Sequence, residues 1–205
     1  MRSVPIVAIA AALLSAACAD GDPSGATPHV SCVRADSVRA ALAFPPKVSA
    51  GEQLYQEHVI ADQTIPGGYG GYWLDGSTTV LGAVDLADST ALRRALVEAV
   101  ACKALYARSE DMLAQVQELL TRPVVVRSVP RRFSVLYEYW ERGRMDGAIL
   151  GVTGVVAYGI RLPEGKLLVA VLEGEPLDPL YTALDALEIP LDAVRIDRTT
   201  GASSS

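Results

Sequence analysis

The chain has 205 residues, half of them hydrophobic and a fifth charged, with a formal net charge of −6. That acidic balance argues against a nucleic-acid binder, whose affinity rests on neutralising phosphates. After the first residues, no apolar run is long enough to span a bilayer as a helix.

The N-terminus reads as an export signal, residues 1–17. Arg2 supplies a positive start, and Val4 to Ala17 is apolar and small, about 14 residues, short of the roughly 20 that a membrane span needs. "LLSAAC" sets Ala16 and Ala17 before Cys18, the pattern of a bacterial lipobox. There a diacylglycerol is attached to the thiol and the chain is cut before it. Ser15 stands where Leu is usual, so an ordinary secreted protein and an uncleaved anchor stay open beside the lipoprotein. Two acyl chains suit stable anchoring to the membrane. Residues 18–33, rich in Asp, Gly, Pro, Ser and Thr, read as the anchor and its tether. With Cys18 lipidated, Cys32 and Cys102 remain, and in an oxidising compartment they are expected to form a disulfide. The alternative is two buried thiols that never meet.

Residues 34–66 form an N-terminal helical segment. Ala35 to Phe44 carries Val38, Ala41 and Leu42 on one face and ends at Pro45 and Pro46. Gly51 to Ala61 is a second, weakly patterned helix. Next comes "IPGGYGGYWLDG", with four glycines in the five positions Gly67 to Gly71. A dinucleotide loop needs a preceding strand and a third glycine where Trp73 stands, and a Walker loop needs a terminal Lys-Ser or Lys-Thr. Neither is present. The glycines instead admit the chain to a strand at unusual φ, or beneath a large side chain.

Residues 67–132 read as a first α+β unit. Tyr72 to Asp75 is a strand, "DGST" a hairpin turn and Thr79 to Leu86 a second strand. Asp88 or Ser89 caps a helix bearing Leu92, Ala95, Leu96, Ala99 and Val100. Ser109 starts another, ended by Pro123, and Val124 to Val129 is a β-branched strand. Residues 133–198 repeat the order after a linking helix capped by Ser134. The elements are Val155 to Ile160, the turn "RLPEG", Lys166 to Leu172, a helix capped by Asp178 with Pro179 first, and Ala193 to Ile196. The fold class is therefore α+β, two copies of a strand-strand-helix-strand unit, each a three-stranded sheet covered by a helix. Asp197 to Ser205, and residues 199–205 in particular, read as a free polar tail.

"GVTGVVAYGIRLPEGKLLVAVLEGEPLDPLYTALDALEIPLDAVRI", Gly151 to Ile196, resembles the pro-region family of α-lytic protease and streptogrisin-type secreted proteases, with related bacterial lipoproteins. Glu188-Ile189-Pro190 and Val194 stand where that family has Gly-Ile-Pro and a following Val. Gly70 to Asp85 is similar to its earlier hairpin, and Val126 to Trp140 to its strand-helix link. The likeness covers about 130 residues. It implies the two-unit fold and, by analogy, a protein that helps a protease fold and blocks its cleft with the tail. The turn "RLPEG" departs from the family's Asp- and Asn-rich turn, and the protease signature Gly-Asp-Ser-Gly-Gly is absent from the sequence.

No catalytic set emerges. His29 falls in the tether and His58 in a weak helix, each read as a surface or packing residue. Neither has zinc-ligand spacing with a cysteine, so no metal or cofactor is expected. Glu173, Glu175 and Asp178, like Asp85 and Asp88, read as helix-start acids more readily than as calcium ligands. Tyr139 and Trp140 read as core. Arg122, Arg127, Arg131 and Arg132 form a basic run facing an acidic C-terminal stretch, read mainly as solvated faces. These features point to a non-enzymatic exported lipoprotein, a binding or scaffolding module with an unidentified envelope partner. The alternative is an inhibitor or folding assistant of a trypsin-like protease acting in trans.

Overall fold

The computed structural model describes residues 30–45 and 48–200. Cys18, His29 and the end of the polar tail lie outside them. Six α-helices and six strands are described, in the order α1 (Val30–Leu42), α2 (Ala50–Thr64), β1 (Tyr69–Asp75), β2 (Thr78–Ala83), α3 (Ser89–Ala101), α4 (Glu110–Thr121), β3 (Val124–Ser128), α5 (Phe133–Arg144), β4 (Val155–Arg161), β5 (Lys166–Leu172), α6 (Asp178–Ala186) and β6 (Val194–Thr199).

The fold is α+β and built of two three-stranded sheets, β1-β2-β3 and β4-β5-β6. In each, a hairpin sets the first two strands antiparallel, and a helical crossover returns the third strand parallel to the middle one. Thr79 pairs with Val124 in the first sheet and Leu167 with Val194 in the second. Both hairpins carry an extra residue near the start of the first strand, between Tyr69 and Tyr72 and between Val155 and Ala157. The copies differ in their crossovers: α3 and α4 make the first, α6 alone the second.

The middle strand explains each core. Along β5, Leu167, Val169 and Val171 alternate inward, where they meet Leu180 and Leu184 of α6. In the first unit Leu81 and Ala83 meet Leu92, Leu96 and Val100 of α3 and Leu113 and Val116 of α4. Helix α5 lies between the units. Leu136 and Phe133 are buried, and Tyr139 and Trp140 pack against the second core.

The glycine run enters β1 as a strand. A Cβ on Gly70 would stand 2.4 Å from Val129, and one on Gly71, at φ +102°, would stand 2.5 Å from Leu162. Close approach of aliphatic neighbours, together with backbone conformation, explains these glycines.

Several boundaries differ from the sequence reading. Helix α1 begins at Val30, within the expected tether, because Cys32 and Arg39 tie it to the rest of the fold. β1 begins at Tyr69, three residues early, and β2 ends at Ala83. Neither Asp88 nor Ser89 caps α3 with its side chain. Asp85 instead accepts from the Ala87 N–H at 2.8 Å, holding a 3₁₀ turn ahead of α3. Asp178 is the first residue of α6 and makes no capping bond. Ser134 does not cap α5, since its side chain goes to Asp62. Finally, β6 continues through Asp197, Arg198 and Thr199, which the sequence assigned to a free tail. β5 offers ladder partners as far as Leu172, and Thr199 O accepts from Glu173 N at 2.9 Å.

Candidate functional site

Helix α2 places polar side chains where a helix normally places leucines. Gln56, Glu57, His58 and Asp62 are all buried. A buried polar group is tolerable only when its hydrogen bonds are made, and three clusters make them.

Glu57 sits at the first. Arg39 of α1 donates to both carboxylate oxygens, Tyr106 N donates at 2.6 Å, and the Arg108 guanidinium lies 3.9 Å away. Arg39 also donates to Ala104 O at 2.7 Å, and Arg108 to Gln56 Oε1 at 2.6 Å. One buried carboxylate thus fixes α1 and the α3–α4 loop on α2.

His58 forms the second. Its Nδ1 lies 2.9 Å from Tyr69 Oη and 3.2 Å from Tyr106 Oη, and the two hydroxyls are 3.2 Å apart. Burial pushes His58 down to about 3 and both phenols well above their usual range. At neutral pH the imidazole is neutral, Nδ1 accepts from Tyr69, and Tyr106 donates into the same triangle. The ring is also walled by Phe133 and Tyr72, at centroid distances of 4.7 and 5.1 Å. His58 is 2% exposed and both tyrosines are fully buried. With no route for a substrate and no proton to exchange near pH 7, the triangle orders the core.

Asp62 forms the third. It accepts from Arg132 Nε at 3.0 Å, from Ser134 N at 3.1 Å and from the Ser134 hydroxyl. The α5 N-terminus is thereby capped by a carboxylate from another helix.

An open cleft of about 400 Å³ lies beside these clusters, where the starts of α2 and α4 approach β1. Leu54, Met112 and the Tyr72 ring give it apolar surface, and Asp111 and Gln115 line it with polar groups. Ser109 is committed as the α4 cap, accepting from Met112 N at 3.4 Å. The Tyr72 hydroxyl, the Asp111 carboxylate and the Gln115 amide have no side-chain partner among the described residues. Burial pushes Tyr72 up to about 12, so it is a neutral phenol under ordinary conditions.

The residues singled out in the sequence fall as follows. Cys32 and Cys102 are joined, with Cα atoms 6.3 Å apart, linking the first turn of α1 to the end of α3. The four arginines of the basic run are all paired: Arg122 with Glu118, Arg127 with Asp75, Arg131 with Asp192 and Arg132 with Asp62. They make no free anion patch. Trp140 packs edge-on against Tyr55 at 4.9 Å, with Arg144 over its other side. Among the described residues no group of three His, Cys, Asp or Glu side chains is placed to hold a metal ion, and no helix is long and apolar enough to cross a membrane.

Sequence reasoning missed the cleft and the buried polar row. The signal for the row was the sequence "QEHVIAD" itself, where charged residues share every face of α2 with apolar ones. A helix without a clean stripe is either exposed or internally hydrogen-bonded. Compared with known protein families and with curated proteins, the chain matches no family model and no curated protein.

Proposed function

We propose that this chain is an exported, non-enzymatic binding or scaffolding module of the bacterial cell envelope, anchored through a lipid on Cys18. The Cys32–Cys102 disulfide carries the reading, because such bonds persist in oxidising compartments and are rare in the cytosol. The export-like N-terminus supports the same address. The binding role is supported by the cleft, whose polar groups are left uncommitted beside a core whose polar groups are all in use. Cell fractionation tests the anchor. The wild-type protein should partition with membranes and Cys18→Ser with the soluble fraction. Unchanged membrane partition of the variant would remove the lipid anchor from the proposal.

A second reading is favoured by the duplicated strand order, which the resemblance to protease pro-regions implies. It makes the protein an inhibitor or folding assistant of a trypsin-like protease. Tight inhibition of such an enzyme by the purified chain would favour it over the first. Weak inhibition is expected, because Asp197–Ser205 offers no large apolar side chain to fill a specificity pocket.

A further inference from the structure

We infer that the cleft between the starts of α2 and α4 is a docking site for a lysine side chain of a partner polypeptide. The inference rests on the binding role proposed above and gives that role a ligand chemistry.

Shape comes first. About 400 Å³ is at the small end of ligand pockets and suits one long side chain with its flanking backbone. Leu54, Met112 and the face of Tyr72 offer apolar surface to an aliphatic stem. Gly51 keeps the mouth open, since a Cβ there would have no heavy atom within 4 Å.

Charge decides the head group. Two helix N-termini converge here, each worth roughly half a positive charge, and alone they would favour an anion. They are outweighed. Glu52, Glu110 and Asp111 stand in the first turns of these two helices. Only Glu52 has a printed counter-ion in reach, Arg144 at 3.5 Å. Glu110 and Asp111 have no ion pair among the described residues, so about two full negative charges face about one positive. The whole chain, at −6, adds to that field.

Hydrogen-bond capacity then selects the cation. An ammonium carries three donors and no acceptor. The cleft offers three unpaired acceptors: the Asp111 carboxylate, the Tyr72 hydroxyl oxygen and the Gln115 carbonyl. The Tyr72 ring adds a cation–π surface. A carboxylate ligand would meet Asp111 instead, and a purely apolar one would leave all three groups unpaired.

The test is an NMR titration of the disulfide-bonded mature chain with three capped tripeptides, Gly-Lys-Gly, Gly-norleucine-Gly and Gly-Glu-Gly. Saturable shifts centred on Gly51, Tyr72 and Met112 are expected with the lysine peptide. Norleucine, with the stem but no charge, should bind roughly five-fold more weakly or worse, as should lysine to Asp111→Asn; that corresponds to about 1 kcal/mol for a part-exposed ion pair. Gly51→Leu should abolish binding while leaving thermal stability intact, since the added side chain meets open space. Equal affinity for the norleucine or glutamate peptide, persistence in Gly51→Leu, or no saturable shift would overturn the assignment. Should Gly51→Leu lower stability, the norleucine and Asp111→Asn comparisons still decide. The titration reads the cleft and fractionation reads the address, so either can fail without the other.

Discussion

His58 shows how a titratable residue can be a structural one. It has no exposed route to solvent, two phenols occupy its Nδ1 and an aromatic wall surrounds its ring. Burial holds its folded-state value at about 3, against 6.5 for the free side chain. Between those values the unfolded chain binds a proton that the folded chain does not. Its contribution is therefore complete above about pH 6.5 and is lost as pH falls toward 3, at up to about 1.4 kcal/mol per pH unit. His58→Gln keeps an acceptor for Tyr69 but gives up the ring packing, so the variant should be less stable at neutral pH. The gap should narrow steadily from about pH 6 to pH 4, because the variant has no such proton to take up. Denaturant melts of both proteins across that range measure the gap, and the carboxylates common to both cancel. A gap independent of pH would mean that His58 is protonated in the fold. Sequence spacing gave no access to this arrangement, since the two partners of His58 lie 11 and 48 residues away. Likewise Tyr72 and Asp111 read correctly as a strand residue and a helix-start acid, and their shared cleft exists only once α2, α4 and β1 have packed.

Among the elements, α1 depends most on others. Ala35 is its one fully buried apolar residue, and Val38 and Leu42 are only partly covered. Its hold on the molecule comes from the Cys32–Cys102 bond and from Arg39 on Glu57. A bond closing a separation of 70 residues is worth roughly 4 kcal/mol by the chain-entropy estimate. Replacing both cysteines with serine should lower stability by about that much, and hydrogen exchange should show α1 opening first while β2 and β5 keep their protection. Uniform loss of protection would mean that α1 is not a separately releasable element. Elements whose partners are local were legible in the sequence. The five apolar residues of α3 at helical spacing are all buried, Ser109 caps α4, and "KLLVAVL" alternates as a half-buried strand should. Elements held by distant groups were not. Asp62 reaches 72 residues along the chain to cap α5 in place of Ser134, and β6 gains three residues because β5 continues beside it. No periodicity encodes either effect.

At the scale of the whole molecule, the two units look alike yet are keyed together. Leu162 of the second unit sits over Gly71 of the first, so closely that a Cβ there would stand 2.5 Å away, and Pro130 sits as closely over Gly165. Tyr55 of α2 packs on Trp140, accepts from Ile160 N at 3.4 Å and so joins β4 to the first core. Ile160 touches both cores, and Arg131 pairs with Asp192 across the units. The second core alone has eight fully buried hydrophobic residues, a small core for an independent domain. Shared packing of this kind should make the units unfold together. The two tryptophans allow this to be measured, because Trp73 lies in β1 and Trp140 in α5 against the second core. Trp140→Phe leaves fluorescence reporting the first unit, and Trp73→Phe leaves it reporting the second. Each variant's fluorescence melt in urea should coincide with its own far-UV dichroism melt, with a single midpoint. Gly71→Val, which combines a φ of +102° with the clash against Leu162, should shift the midpoint down by the same amount for both probes. If Trp73 and Trp140 instead reported separate midpoints, and Gly71→Val moved only the first, the units would be independent domains and the contacts between them a loose apposition.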